Sequence, residues 1–255
     1  GGDWQDLGTS LADDGAGGML EERFEVVRAE VVFADDVEQG APGWSHAAGL
    51  GTDPWTVGEG IARSPAHAFF ASGSEAPSDT FLVSPELNIP ADAIEIRFEF
   101  HHHTEFADPP GSLDAAVFEM RIEDGPWLDA AGFDGYGCAI QGGYHGYVSG
   151  SAGNPLEGRE AWTTSSVGFD RTVMALNPPA CRGRSVQFRW RLGTDSLGLS
   201  PGWWIDDVRL GLERVAAAEI TMIECAPDRD TLTLAWTSVS GRSYRVEATT
   251  RIADP

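Results

Sequence analysis

The sequence has 255 residues and a formal net charge of −23, with 40 Asp and Glu against 17 Lys and Arg. A surface this acidic repels phosphate backbones and anionic lipid headgroups, so the charge argues against binding to nucleic acids or membrane surfaces and favours divalent cations. Hydrophobic residues make up 42% of the chain, enough for a substantial core, and no apolar run approaches the roughly 18 residues of a membrane-spanning helix.

The first half of the chain changes from linker-like to strand-like composition. Residues 1–22 are rich in Gly and Asp without apolar periodicity, and predict a linker or the tail of a preceding module. Strand-like sequence begins at Arg23, and between Trp44 and Pro90 short apolar pieces alternate with Gly, Pro, Ser and Asp, as is typical of a β-sandwich. The clearest strand follows, and its residues predicted to face the core are Ile94, Ile96, Phe98, Phe100 and His102.

The second half continues the all-β pattern. Further strands are predicted at Ala115–Ile122, Val167–Leu176, Ser185–Leu192 and Gly202–Leu210, and a Gly- and Tyr-rich insertion at Gly132–Gly158 predicts an ordered surface loop. Helical patterns are nearly absent. The sequence therefore predicts an all-β sandwich over residues 23–213, and a partial second β unit over residues 214–255, in which TLTLAWTSV and SYRVEATT form a hairpin.

The stretch Gly202–Leu210, GWWIDDVRL, contains an unusual carboxylate. Strand alternation puts Asp206 on the same face as Trp204, Val208 and Leu210, so the pattern predicts that it points inward. A buried carboxylate costs several kcal/mol unless hydrogen-bond donors, a cationic side chain or a metal ion compensates it.

A second acidic cluster, in FADDVEQG, could meet Asp206, because first and last strands often pair in antiparallel sandwiches. We predict a bound calcium ion at this meeting point, since calcium takes six to eight hard oxygen ligands. The alternative is that Asp206 caps a turn or pairs with an arginine such as Arg189 or Arg191.

Aromatic side chains suggest a different kind of site. Exposed rings stack on sugars, and the candidates for such a platform are Trp55, Tyr136, Tyr144 and Tyr147. The alternative is that these rings are core. For the run His101–His103, burial of His102 with its two neighbours solvated is favoured over a metal site.

The cysteines leave two alternatives open. Cys138 and Cys181 could form a disulfide, with Cys225 free or paired elsewhere, or all three could be buried thiols.

Catalytic motifs are missing from the sequence. GxSxG, Walker A, GxGxxG and zincin patterns do not occur, so we expect a chain that is not an enzyme. A hydrolase of a type without a recognised motif is the alternative.

The order of eight motifs between Phe24 and Leu212 resembles a known module. The motifs are FADDVEQGAPGW, SPAHAFF, SDTFLVSPELNIP, IRFEFHHHTEF, LDAAVFEMRIEDGPW, NPLEGREAW, SVQFRWRLGTD and GWWIDDVRL. They look like the jelly-roll module of secreted bacterial peptidases such as immune inhibitor A, which is similar to the meprin-type (MAM) domain and, more remotely, to carbohydrate-binding jelly rolls. The sequence departs from that pattern at Val37, where Phe is common, and in the insertion at Gly132–Gly158.

This resemblance implies a jelly-roll (concanavalin-like) β-sandwich that acts as a non-catalytic accessory or adhesive domain of a larger secreted or cell-surface bacterial protein. It also implies structural calcium, with Glu38 and Asp206 as ligands and Asp35 and Asp36 as neighbouring candidates. The implied partners are other domains of the same polypeptide, and a glycan or cell-surface protein. The alternative is a carbohydrate-binding module. Residues after Ala218 resemble the opening strands of a fibronectin type III-like repeat.

Overall fold

The computed structural model describes residues 24–106, 114–130, 136–148, 153–215, 220–225, 232–236 and 244–248. The chain forms two compact units: one is Val31–Glu213, and the other joins Gly1–Glu30 with Arg214–Pro255. The predicted domain boundaries, at residues 23 and 213, stay predictions.

The described elements are almost all strands, and one short helix lies among them. In chain order they are β1 (Phe24–Asp35), β2 (Ser45–Leu50), β3 (Thr56–Glu59), β4 (His67–Ala71), β5 (Ser78–Val83), β6 (Leu87–Asn88), β7 (Ala93–Glu105), β8 (Ala115–Ile122), β9 (Leu128–Asp129), β10 (Gly137–Gln141), β11 (Gly146–Tyr147), β12 (Glu160–Ala161), β13 (Asp170–Leu176), α1 (Pro178–Cys181), β14 (Ser185–Thr194), β15 (Gly202–Val215), β16 (Ile220–Cys225), β17 (Leu232–Trp236) and β18 (Tyr244–Ala248). Among the described residues, no helix has the length and hydropathy needed to cross a membrane.

Two antiparallel sheets form the unit Val31–Glu213. The larger sheet has the order β10-β13-β7-β15-β1, and β4 pairs with both β15 and β3. The smaller sheet has the order β2-β5-β14-β8-β9, and β6 pairs with β14. Successive long strands alternate between the two sheets, and this crossing is jelly-roll connectivity. The predicted all-β jelly-roll sandwich is confirmed.

The C-terminal unit is paired differently from the sequence prediction. The strand β17 pairs with β16, and β18 pairs with the first part of β1 through Phe24–Arg28. The predicted hairpin between β17 and β18 is therefore wrong, because each strand pairs with a different partner. The fibronectin-like resemblance of this segment stays a prediction.

The core between the two sheets is rich in aromatic side chains. Phe98 stacks on Phe188 with ring centroids 3.8 Å apart and on Phe118 at 5.3 Å, so β7, β14 and β8 meet at one point. The prediction for β7 is confirmed from Ile96 onward, since alternate side chains from there are buried. Ile94 is partly exposed, and Ala93 takes the buried position at the start of the strand.

The insertion covers part of the smaller sheet. Its strand β10 pairs with β13 at the edge of the larger sheet. Val148, Leu156 and Ala161 pack on Ala115 and Val117 of β8, where they form a second, smaller apolar cluster. The insertion is thus an ordered part of the sandwich wall in its described segments.

Candidate functional site

An extra residue in β15 reverses the predicted direction of Asp206. Ile205 and Val208 both belong to the main core, and this spacing of three residues means that the strand contains a bulge. Asp207 has a φ of 49°, which marks the place of the bulge. Asp206 therefore lies on the outer side of the larger sheet, and the prediction that it points inward is wrong, because a one-residue insertion moves side chains to the opposite face.

Asp206 is nevertheless fully buried, because the loop between β3 and β4 covers it. Its Oδ2 accepts hydrogen bonds from the backbone N–H of Arg63 (2.8 Å) and of Ser64 (3.1 Å), and its Oδ1 accepts one from the N–H of Asp207 (2.7 Å). Burial raises the pKa of Asp206, and these three donors oppose that rise. Asp206 thus caps a turn, which is the alternative that the sequence left open.

Glu38 holds the other end of the same loop. Its Oε1 accepts hydrogen bonds from the N–H of Ala66 (3.0 Å) and of His67 (2.7 Å), and its Oε2 lies 2.9 Å from the imidazole Nδ1 of His67. The His67 side chain and the two N–H groups hold the pKa of Glu38 at about 2, and the same contact raises the pKa of His67. The two predicted acidic clusters therefore contact one loop, Arg63–His67, at its two ends.

Asp35 and Asp36 shape the turn that presents Glu38. The Asp35 carboxylate accepts hydrogen bonds from the N–H of Val37 (2.8 Å) and the indole Nε1 of Trp44 (2.7 Å), while Asp36 accepts one from the N–H of Glu38 (3.2 Å). Val37 is fully buried and has a φ of 64°, a conformation that β-branched residues rarely adopt. Burial of its side chain and the Asp35 hydrogen bond hold this strained turn.

The four carboxylates do not fit a calcium site as they are arranged. Each oxygen of Asp35, Glu38 and Asp206 already faces an N–H group or an imidazole nitrogen. In the part of the chain that the structure describes, no group of three or more His, Cys, Asp or Glu side chains could hold a metal ion. Calcium stays a prediction from the sequence, and hydrogen bonds compensate the buried charge without it.

Thermal unfolding with and without calcium separates these two explanations. We expect the same melting temperature in excess EDTA and in millimolar calcium, because the carboxylate oxygens already have donors. If calcium bound, a free calcium concentration of 100 times its Kd would stabilise the fold by about 2.7 kcal/mol. A calcium-dependent rise of several degrees, measured by calorimetry, would establish the ion and contradict the hydrogen-bond explanation.

Aromatic side chains form a row across the outer face of the larger sheet. Phe70 of β4 stacks on Trp204 of β15 at 4.7 Å, Trp204 contacts His103 of β7 at 5.3 Å, and His103 contacts Phe169 at 5.8 Å. Phe70 and Phe169 are partly exposed, whereas Trp204 and His103 are almost covered. We call these four residues the aromatic strip.

A polar groove of about 500 Å³ lies on the same face, beside the strip. We call it the arginine groove, and its charged and polar lining consists of Asp35, Asp36, Arg63, Glu99, His101, Arg171, Asp207 and Arg209. His101 is two residues before His103 of the strip, and Asp207 is three residues after Trp204. The loop that Asp206 and Glu38 hold contributes Arg63 to the groove, so the buried carboxylate of Asp206 and the partly exposed carboxylate of Glu38 position part of its wall.

Three of the four aromatic residues predicted as a sugar platform are packed against the protein. Trp55 is 4% exposed and contacts Trp203 in the core. Tyr144 donates its hydroxyl to Asp129 (3.0 Å), and burial raises its pKa well above the usual range. Tyr136 packs on the core, and Tyr147 is 57% exposed. The proposed role of Trp55 is corrected, since burial removes its ring from solvent, and the proposed roles of Tyr136, Tyr144 and Tyr147 stay predictions.

The histidines differ from one another in environment. The predicted burial of His102 is confirmed: it accepts a hydrogen bond from the indole of Trp203 (3.2 Å), and burial lowers its pKa to about 3. His103 is buried as well, contrary to prediction, because Phe169 and Trp204 cover it.

Cys138 and Cys181 are free, so the predicted disulfide is not formed. The Cys225 side chain lies outside the described residues. Burial raises the pKa of the Cys181 thiol to about 11, which keeps it protonated and unreactive at neutral pH.

The sequence contained a partial signal for the arginine groove. Alternation along β7 assigned Glu95, Arg97, Glu99, His101 and His103 to the face opposite the core. The register between β7 and β13 places Arg171 opposite His101, and this register is not readable from one sequence. The groove was therefore missed.

Comparisons with known proteins give fold similarity only. No protein-family model matches the chain, and no curated protein matches it in sequence. The solved structures it is similar to include the carbohydrate-binding module TmCBM61 in complex with β-1,4-galactotriose, at 13% identity and a TM-score of 0.43, covering 69% of this chain and 92% of that one.

Two further similar structures belong to the same broad class of β-sandwich. The K3 cleaved adhesin domain of Lys-gingipain from Porphyromonas gingivalis W83 has 17% identity and a TM-score of 0.40, covering 72% of this chain and 98% of that one. TmCBM27, a carbohydrate-binding module that recognises mannan, has 13% identity and a TM-score of 0.37, covering 74% of this chain and 99% of that one. At such low identity and TM-score, what these proteins bind does not carry over to this chain.

Proposed function

We propose that residues 31–213 form a non-catalytic binding domain, of the accessory or adhesive kind, whose ligand is a glycan. The observation that carries the proposal is the aromatic strip lying beside the arginine groove on one face of the larger sheet. Sugars present flat apolar ring faces and a rim of hydroxyl groups. A binding site for them therefore needs aromatic surface next to polar side chains with fixed positions.

The strip supplies rigid aromatic surface. Trp204 is held between Phe70 and His103, with interplanar angles of 26° and 33°. The Nδ1 of His103 lies 2.8 Å from the Ser166 hydroxyl, and its Nε2 lies 3.0 Å from the carboxylate of Glu105. Because the rings are already ordered, binding loses little conformational entropy.

The groove supplies hydrogen-bond donors in fixed positions. Arg171 contacts the Glu99 carboxylate, and Arg63 contacts the Asp207 carboxylate. Each carboxylate holds its guanidinium in place, and the N–H groups that the guanidinium does not use on the carboxylate can donate to sugar hydroxyl groups.

Binding to immobilised polysaccharides tests this proposal. We expect Phe70→Ala to weaken retention about tenfold, because a partly buried ring contributes on the order of 1.5 kcal/mol of contact. Tyr147→Ala is the matched control, since this exposed aromatic lies on the insertion, and it should leave retention unchanged.

A loss of retention in Tyr147→Ala alone would move the site to the insertion, which contains three of the four aromatic residues that the sequence suggested. No retention of the wild-type chain on any glycan would contradict the proposed function. Melting temperatures of both variants exclude misfolding as the cause.

The remaining features of the proposal come from the sequence. We propose a secreted or cell-surface location and a role within a larger bacterial polypeptide, such as a secreted peptidase, with its other domains as partners. A hydrolase would have to turn over glycosides or peptides with the isolated chain, so an activity screen tests that alternative directly.

A further inference from the structure

We propose that the arginine groove binds an anionic group of the glycan, a carboxylate or a sulfate ester, and so makes the domain selective for acidic sugars. The inference rests on the proposed function and names the ligand class of the same site. It depends on three observations: unused donors, satisfied acceptors and an unpartnered imidazole nitrogen.

The arginines of the groove have donors to spare. Each guanidinium carries five N–H donors. Within the described part of the chain, Arg63 uses one of them on Asp207, Arg171 contacts Glu99 and the amide oxygen of Gln141 (3.3 Å), and the Nη1 of Arg209 lies 3.6 Å from the Glu99 carboxylate. The three side chains are 47%, 44% and 51% exposed, so a ligand can reach them.

Three of the four carboxylates that line the groove have little acceptor capacity left. Both oxygens of Asp35 accept hydrogen bonds from within its own turn. Asp207 accepts from Arg63 and from the Ser64 hydroxyl (2.6 Å), while Glu99 is shared by two arginines. A ligand in the groove therefore meets surplus donors, and an acceptor-rich group such as a carboxylate or sulfate satisfies them best.

His101 adds an independent sign of an incomplete site. Its Nδ1 is buried and has no hydrogen-bond partner among the described residues, which is uncommon in native structures. Burial, and then the charge of Arg63, lower the pKa of His101, so its ring is neutral at neutral pH. The neutral imidazole adds no positive charge to the groove, so the three arginines supply the positive charge that an anion would meet.

The test uses short oligosaccharides because the chain has a net charge of −23. A long polyanion is repelled by the acidic surface outside the groove, whereas a short oligosaccharide feels mainly the groups within about 8 Å at physiological salt. The probes are therefore trigalacturonate, its methyl ester and a sulfated trisaccharide, measured by calorimetry against the full chain.

We expect trigalacturonate or the sulfated trisaccharide to bind about tenfold or more tightly than the uncharged ester, because charge-assisted hydrogen bonds are roughly twice as strong as neutral ones. Comparison of the two anionic probes shows whether a carboxylate or a sulfate ester is the group that the groove binds. Arg209→Gln and Arg171→Gln should each remove this preference. Arg97→Gln is the matched control, because Arg97 lies on the same strand as Glu99 but pairs with Glu95 outside the groove lining, and it should keep the preference.

The outcomes separate this inference from the proposed function. Equal binding of acid and ester, still weakened by Phe70→Ala, would overturn the inference and leave the glycan proposal standing. A preference for acid that survives in both groove variants would also overturn it, since the anion would then bind elsewhere. If none of the probes and no polysaccharide bound, both proposals would fail together.

Discussion

Asp206→Ala is expected to lower the free energy of unfolding by about 3 kcal/mol, because buried N–H groups left without an acceptor cost roughly 1–3 kcal/mol each. The N–H groups of Arg63 and Ser64 both donate to the Asp206 carboxylate, which is fully buried. For a domain of this size the loss corresponds to about 6–12 °C in melting temperature. Thermal unfolding followed by circular dichroism measures it.

Asp206→Asn is the matched control for this substitution. Its side-chain oxygen can still accept from the Arg63 and Ser64 amides, but its NH₂ group cannot accept from Asp207, so we expect a clearly smaller loss. Equal losses for Ala and Asn would show that the two loop amides are not what the carboxylate stabilises.

The sequence predicts some properties of this site and not others. The expected proximity of the two acidic clusters came from the pairing of first and last strands, and the strand character of β15 and the burial of Asp206 follow from apolar patterning. The bulge does not, because a period of two assumes one residue per position along the strand. The only feature of the sequence that indicates the bulge is the pair of adjacent aspartates, because aspartate tolerates positive φ better than most residues.

The aromatic residues show a second limit of sequence patterning. Trp55 and Phe70 both lie in short apolar stretches, yet Trp55 is in the core and Phe70 is part of the strip. What separates them is the pairing of β4 with β15 through Trp204 and Phe70, a contact between residues 134 positions apart in the chain. Local propensity does not include such a contact, so the sequence alone could not distinguish a ring in the core from a ring on the outer face.

A buried cluster of charges on the outer face of the smaller sheet fastens the insertion. Glu119 of β8 is 3% exposed and accepts hydrogen bonds from Arg159, the residue that directly follows the insertion, and from Nε of Arg189 (2.7 Å). Arg159 also donates to Asp129 (2.7 Å), and the guanidinium of Arg189 lies between the rings of Phe81 and Trp127 at 4.5 and 4.6 Å. The cluster thus joins four strands, β5, β8, β9 and β14, to the end of the insertion.

Glu119→Ala is expected to lower the free energy of unfolding by about 3–5 kcal/mol, the usual cost of removing one partner of a buried ion pair. Burial alone would raise the pKa of Glu119, but Arg189 and Arg159 outweigh it and lower that pKa. A lowered pKa means that the ionised carboxylate stabilises the fold above its unfolded pKa, and that this stability is lost as the pH falls through the folded value. The difference between wild type and Glu119→Ala should therefore shrink in acid.

The exposed pair Glu95–Arg97 provides the matched control for Glu119. Its side chains are 41% and 57% exposed, so Glu95→Ala should change stability by less than about 1 kcal/mol, as surface ion pairs do. Hydrogen exchange adds a local readout: in Glu119→Ala the amides of Val148 and Gly158, which donate to the carbonyl groups of Arg159 and Val148, should lose protection before those of β7 do. If the insertion kept its protection while the whole domain was destabilised evenly, Glu119 would be stabilising the sheet and not fastening the insertion to it.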